Sequence, residues 1–441
     1  MKKRNSTISG FKKGTTALLL FVSLGLSSCK NYFADSKDAE SQQRAARAVI
    51  LAKLQQSVQQ KRQGEAAIRV LDARGQSTQG TRLIVEQTAH DFSLGCRLSS
   101  AKAADNVQEY RARFRKIFNT AVVTPAGSHL TAEQTPDTDL DWAQANSTKL
   151  IGSLLISTEQ GTAKSVNIKE HVLNTVRRYR GKISLWQITH GDAISGISWE
   201  TAQRDFREAL AAAREADAQA QLIVSADGIF SESPVQRDHF IEMLRQLSAE
   251  NVSFDAIGVE ASGAVQSVNK REWLDPLIIS STLDRLAAFK KPIHILDFSA
   301  PANQYVEIAG NYRQGSWDIY RQDEYAREVT MLCLSHPQVV SFSYRKFMDE
   351  DVAVAGNGVN EDGLLDHKLS PRPILQKVSE MFDSKLRASN QMISKTEGSL
   401  FRGFYGDYRV RIFPSGKEPF EKRFSLQRDQ KNDWVITLPA E

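Results

Sequence analysis

Residues 292–298 read Pro292-Ile293-His294-Ile295-Leu296-Asp297-Phe298. After the proline, apolar residues run with little interruption and close on a carboxylate. Continuous rather than alternating apolar runs suit parallel strands covered on both faces. Seven more such runs lie at 92–96, 118–123, 150–156, 183–189, 222–225, 256–259 and 339–344. Helical patterns separate them, at 106–117, 140–149, 168–179, 200–216, 235–250, 273–289 and 324–335, and another follows at 373–386. Eight strand–helix units over roughly 250–300 residues predict a (β/α)8 TIM barrel, an α/β fold, here spanning 91–388. An open doubly wound sheet is the alternative, but no Gly-rich phosphate turn follows the first strand.

Working outward, 42–62 holds good helix formers and no Gly or Pro. Segments 67–72 and 82–87 alternate like strands around Ala73-Arg74-Gly75. Residues 42–90 therefore read as a leading helix and a small N-terminal β-element. Beyond the barrel, 401–408, 409–413, 420–426 and 434–438 look like short strands split by Pro414-Ser415-Gly416 and Asp429-Gln430-Lys431-Asn432. They predict a C-terminal antiparallel β-module over 395–441.

Residues 1–28 have the form of a signal peptide: basic Lys2, Lys3, Arg4, Lys12 and Lys13, then an apolar run at 17–26 too short to span a bilayer. Leu26-Ser27-Ser28-Cys29 resembles the lipobox of bacterial lipoproteins. That resemblance implies a lipid on Cys29, a polar tether over 29–41, and a membrane-anchored protein of the cell envelope. Lys30 is not the Asp that some bacteria use for inner-membrane retention, which favours the outer membrane. An ordinary secretory peptide with a chance cysteine is the other reading. Five of the 57 basic residues and none of the 52 acidic ones fall in 1–28, so the remainder balances. Nothing in that balance points to nucleic acid. Cys96 and Cys333 have no metal-ligand spacing and read as buried free thiols, with a disulfide between them as the alternative; no metal and no cofactor is expected.

In such a barrel the working side chains stand at the C-terminal ends of the strands. The fourth run ends Trp186-Gln187-Ile188-Thr189-His190-Gly191-Asp192, the sixth Val259-Glu260-Ala261-Ser262, the eighth Ser343-Tyr344-Arg345. Asp297 is the best single candidate, since a carboxylate buried at a barrel mouth needs a reason. His190 reads as a ligand or base, or as a hydrogen-bonded core histidine. Tyr305, Tyr312, Trp317 and Tyr320 crowd the loop after the seventh strand, where rings offer a face to a ligand or pack the loop onto the barrel. Asp349-Glu350-Asp351 fails the calcium-loop spacing and reads as a solvated run.

These strand ends, with lead-in segments such as Phe118-Asn119-Thr120-Ala121-Val122, Phe254-Asp255-Ala256-Ile257-Gly258 and His336-Pro337-Gln338-Val339, resemble the family 10 glycoside hydrolases, the retaining xylanases. The likeness covers roughly 55–385. It implies the same barrel, a β-linked polysaccharide or oligosaccharide partner, and two carboxylates flanking the scissile bond. Gly191 stands where the family has its acid/base glutamate, and it cannot transfer a proton. Asp297 stands at the nucleophile position, one methylene short. The second- and third-strand sugar contacts fall on Pro125-Ala126-Gly127-Ser128-His129-Leu130 and Gly152-Ser153-Leu154-Leu155-Ile156-Ser157-Thr158, which lack them. Arg345 replaces the tryptophan that floors the sugar site.

Loss of the acid/base alone costs ~10²–10⁴ in rate. The expectation is therefore a surface-anchored, xylanase-like protein that binds polysaccharide without family-typical hydrolysis. Two rivals stand beside it. One is a glycosidase rebuilt on Asp297 and Asp192, the latter either capping a helix or reaching the mouth through a bulge. Its wider spacing, ~6.5–9.5 Å, suits inversion. The other is a non-catalytic envelope-assembly lipoprotein. Glu260 and Arg345 are expected to face the mouth, as an ion pair or as contacts to a charged sugar. His190, Tyr344, Trp317 and Tyr305 complete the expected substrate contacts.

Overall fold

The computed structural model describes residues 36–99, 106–127, 134–156, 167–191, 197–231, 233–261, 265–267, 270–271, 275–302, 317–349, 361–383 and 389–440. Residues 1–35, with Cys29, lie outside them, as do Asp192, Tyr305 and Tyr312. The chain divides into two compact units, Met1–Lys53 and Leu54–Glu441.

Helix α1 (Ser36–Arg62) leads into β1 (Gln63–Leu71) and β2 (Arg82–His90). The barrel then begins with β3 (Ser93–Arg97), α2 (Val107–Ile117), β4 (Thr120–Val123), α3 (Asp137–Ala145), β5 (Lys149–Leu155), α4 (Ile168–Arg178) and β6 (Leu185–Thr189). It continues through α5 (Trp199–Ala216), β7 (Gln221–Asp227), α6 (Pro234–Ala249) and β8 (Ala256–Glu260). A short hairpin, β9 (Val265–Ser267) and β10 (Lys270–Arg271), precedes α7 (Pro276–Ala287), β11 (Ile293–Phe298), α8 (Ile319–Ser335), β12 (Val339–Tyr344) and α9 (Pro373–Asp383). The eight long strands close in the order β11-β12-β3-β4-β5-β6-β7-β8, every neighbouring pair parallel. This is the expected (β/α)8 barrel.

Helix starts follow local capping chemistry more closely than apolar periodicity. Helix α8 begins five residues before the expected 324 because Asp318 accepts the amides of Tyr320 and Arg321, satisfying donors at the helix start. Helix α7 starts three residues after the expected 273, where Asp275 caps Leu277 and Pro276 occupies the first turn. At the bottom of the barrel Asn119 accepts the amide of Leu94 at 2.9 Å and donates to the carbonyl of Phe92 at 3.2 Å. It thereby stitches the first two barrel strands together.

The two β-pieces outside the barrel form one module. Strands β13 (Ser389–Ile393), β14 (Ser399–Phe404), β15 (Gly406–Phe413), β16 (Phe420–Leu426) and β17 (Asn432–Thr437) pair with both N-terminal strands. One sheet runs β14-β1-β17 and the other β13-β2-β15-β16. The pairing of β1 with β17 is parallel, the rest antiparallel. Their shared core holds Ile68, Val85, Phe401, Tyr408, Val410, Trp434 and Ile436, with Phe424 stacked on Trp434 at 5.1 Å.

Candidate functional site

The mouth is built from the last residue or two of each strand. On β11, Leu296 packs inward with Val122, Ile151, Ile223 and Ala256. Asp297 follows with φ 53°, and the register against β12 shifts between Ile295 and Phe298. A left-handed backbone at a residue other than glycine costs ~1–3 kcal/mol and persists where its surroundings hold it. The holder is Arg97, at the end of β3. Its Nε donates to Asp297 Oδ1 at 3.2 Å and its Nη2 to Oδ2 at 2.5 Å. The remaining nitrogen, Nη1, donates to Thr124 Oγ1 at 2.7 Å. This two-point pairing is the strong form of an Arg–carboxylate contact, and Asp297 is only 7% exposed. Burial pulls the Arg97 pKa down, but Asp297 outweighs it and the guanidinium titrates above its ordinary value.

Beside this pair, Glu260 closes β8, in register with Leu296. Its Oε1 accepts from Thr189 Oγ1 and from Ser225 Oγ, the latter at 2.9 Å. Gln187 Nε2 in turn donates to Ser225 Oγ at 3.1 Å. Lost hydration and the neighbouring Asp297 charge raise the Glu260 carboxyl above its ordinary pKa, against the pull of the two hydroxyls and Arg97. Thr189 Oγ1 also accepts the amide of Gly191 at 2.8 Å. Gly191 has φ 57°, and a Cβ placed there would stand 3.2 Å from Leu155 Cδ1.

The structure separates the expected site residues. Asp297 and Glu260 meet at the mouth. Arg345 lies exposed, its amide bonded to the Phe298 carbonyl at 2.8 Å. It makes no ion pair with Glu260, whose oxygen is taken by Thr189 and Ser225 instead. His190 is buried and turned towards α5, with Nε2 3.7 Å from Asp205 and its ring edge-on to Phe206. Burial lowers its pKa to about 4, so it stays neutral. Tyr344 also turns away from the mouth. Its hydroxyl bonds Thr330 Oγ1 at 2.9 Å, among the rings of Phe118, Phe298 and Phe342. Strand alternation explains both corrections: Gln187 and Thr189 point inward, so His190 points out. Trp317 is fully buried, edge-on to Tyr325 at 5.3 Å, and packs rather than presents a face to solvent. Asp349 is not solvated; it is 2% exposed and paired with Arg372 at 2.5 Å. Cys96 and Cys333 are free and buried. Among the described residues no group of His, Cys, Asp and Glu is placed to hold a metal ion. Arg97 is the residue the sequence reading missed; its one signal was a charged side chain at the C-terminal end of the first barrel strand.

A closed parallel barrel with Asp297 and Glu260 at its C-terminal mouth places the protein in the class of (β/α)8 barrels that carry their polar groups where such barrels hold their sites. The chain belongs to glycosyl hydrolase family 10, whose family model matches residues 139–381. No curated protein matches the sequence. Among solved structures it is similar to native xylanase 10B from Thermotoga maritima, at 17% identity and a TM-score of 0.52, covering 67% of this chain and 96% of that one. It is also similar to xylanase 10B from Thermotoga petrophila RKU-1 in complex with xylobiose, at 18% identity and 0.50, covering 66% and 94%. A third is the Penicillium canescens endo-1,4-beta-xylanase XylE, at 15% and 0.50, covering 66% and 94%. At these identities the likeness is one of fold.

Proposed function

We propose that the protein is a lipid-anchored envelope protein whose barrel mouth binds a β-linked oligosaccharide or polysaccharide without cleaving it as a xylanase does. The observation that carries this reading is the pair of defects across the mouth. Arg97 occupies both oxygens of Asp297, and Gly191 leaves the opposite position without a side chain. A retaining mechanism needs a free carboxylate to attack the sugar and an acid to protonate the leaving oxygen. Among the described residues, Asp297 is engaged by Arg97 and Gly191 supplies no acid, which supports binding without family-typical hydrolysis. The choice of ligand class rests on family membership and on the xylobiose bound by the Thermotoga petrophila neighbour. The envelope location and the lipid on Cys29 rest on the leader sequence alone.

A second reading, hydrolysis by a rebuilt site, draws support from Glu260. Its raised pKa gives the mouth a carboxyl that holds a proton more readily than an ordinary glutamate. Asp297 with Asp192 remains the proposed pair for that case.

One experiment separates the binding, hydrolysis and assembly readings, and a second tests the anchor. The soluble chain from Lys30 is screened by thermal shift against plant and bacterial oligosaccharides, with products followed by mass spectrometry. A shift without products is the expected result. Products that vanish in Asp297→Asn overturn it in favour of hydrolysis. No shift with any sugar leaves envelope assembly as the better account. Cys29→Ser is expected to abolish acylation in the mass spectrum of the membrane fraction.

A further inference from the structure

The Leu54–Glu441 unit has a large cleft away from the mouth. It measures about 1360 Å³ and lies at the opposite end of the barrel, between the starts of β3, β4 and β5 and the β-module. Small-molecule pockets run to ~300–1,000 Å³, so the cleft has room for a polymer segment. Its charge is uneven. Arg115, Lys116, Lys149 and Arg428 line it against two carboxylates, Asp91 and Asp407; a further arginine, Arg111, is already paired with buried Asp139 at 2.6 Å.

The cations come from separate elements. Arg115 and Lys116 sit in the last turn of α2, Lys149 opens β5, and Arg428 follows β16. Basic residues in a last helical turn complement the helix dipole, and Arg115 also donates to Asn146 Oδ1 at 2.7 Å. Arg428 donates to the carbonyls of Pro337 and Lys61 at 3.2 and 3.1 Å, so the cations without such a bond are Lys116 and Lys149. Lys116 and Lys149 are exposed, and neither makes a side-chain hydrogen bond or ion pair with a described residue. Residues 29–441 have equal numbers of basic and acidic residues, so this surplus is local. Two half-buried rings, Trp142 and Tyr405, line the same cleft, each with an arginine over its face at 5.5 Å.

We propose that this cleft is a second binding site, for an acidic polysaccharide. Spaced cations meet the carboxylates of successive uronate units, and the guanidinium-covered rings add apolar surface to the walls. A membrane surface of anionic lipid has the same charge, but a plane cannot enter a concave cleft. The site is on the opposite face from the mouth, so this inference stands or falls separately from the ligand proposed there.

The test uses the full chain in neutral detergent and fluorescein-labelled polygalacturonate, read by anisotropy. Binding is expected, weakening as NaCl rises from roughly 50 to 300 mM. Lys116→Glu with Lys149→Glu is expected to weaken it by on the order of tenfold or more, while Arg345→Ala leaves it unchanged. An unaltered melting temperature and circular dichroism spectrum of the double variant certify its fold; Lys116→Gln with Lys149→Gln replaces it if that check fails. No binding, or binding indifferent to both double variants, overturns the proposal. So does loss of polymer binding confined to Arg345→Ala. Failure to bind polymer combined with uptake onto micelles containing phosphatidylglycerol overturns it in favour of a lipid headgroup.

Discussion

Arg97 and Asp297 stand on strands that are not neighbours, yet the guanidinium takes both carboxylate oxygens, at 3.2 and 2.5 Å, across the intervening β12. The pair reaches across the mouth and holds the left-handed turn at Asp297. Removing one partner of a largely buried pair strands the other, at a cost of ~3–5 kcal/mol. Arg97 retains some solvent contact, so Arg97→Ala is expected near the lower end, about 3 kcal/mol in urea unfolding. Asp297→Asn should cost less, because the amide stays polar and uncharged. The double variant should fall well short of the sum, since each single change already removes the clamp. Additive losses would show that the two residues act independently.

Restoring a glutamate at Gly191 should not restore a xylanase. Its φ of 57° suits glycine, and a side chain there meets Leu155. We expect Gly191→Glu to lose about 1–2 kcal/mol of stability and to release no reducing sugar from xylan, because Asp297 remains clamped. Hydrolysis by that single variant would mean that only the proton donor is missing and that Arg97 does not silence Asp297.

The eight barrel strands were legible because each is a continuous apolar run, and every expected run overlaps an observed strand. Asp297 and Glu260 were legible as carboxylates at strand ends. His190 and Tyr344 were not placed correctly, because at a strand end a single residue of register decides between the mouth and the helix layer. Arg97 escaped for a different reason. Its partner lies 200 positions away, and nothing local to Ser93-Leu94-Gly95-Cys96-Arg97 marks the arginine as half of a pair. The joining of β1 and β2 to the C-terminal strands is non-local in the same way. Alternation announced the strands but not their partners.

Arg62 offers a test of how the module is tied to the barrel. The end of α1 delivers its guanidinium, 4% exposed, to the carbonyls of Leu334, His336 and Val339 at 2.8, 2.6 and 2.5 Å, with Phe92 beneath it. Burial, then the charge of Arg428, lowers its pKa to about 10, which leaves it charged at neutral pH. Arg62→Met removes three donors from buried acceptors and should cost roughly 3 kcal/mol or more by urea unfolding. Arg62→Lys should recover only part of this, since one ammonium lacks the fork that spans three carbonyls. Full recovery with lysine would mean that charge, not geometry, matters here.

His294 sets a pH dependence of known sign. It is 8% exposed, its Nδ1 lies 2.8 Å from Ser341 Oγ, and burial, then the Lys149 charge, lowers its pKa to about 4. The unfolded chain takes up a proton near 6.5, the folded one only near 4. The stability that neutral His294 contributes is therefore complete above about pH 6.5 and is lost as pH falls towards 4, a change of roughly 3 kcal/mol. Buried His190 acts in the same direction, while Glu260, with its raised pKa, acts in the opposite one. The whole-protein profile mixes these, so the clean measurement is a difference. His294→Gln can still bond Ser341 but cannot titrate. Its stability relative to the parent should improve by roughly 2–3 kcal/mol between pH 7.5 and 4.5 in urea unfolding. A difference that stays constant across that range would mean that the imidazole takes up its proton as readily in the folded barrel as in the unfolded chain.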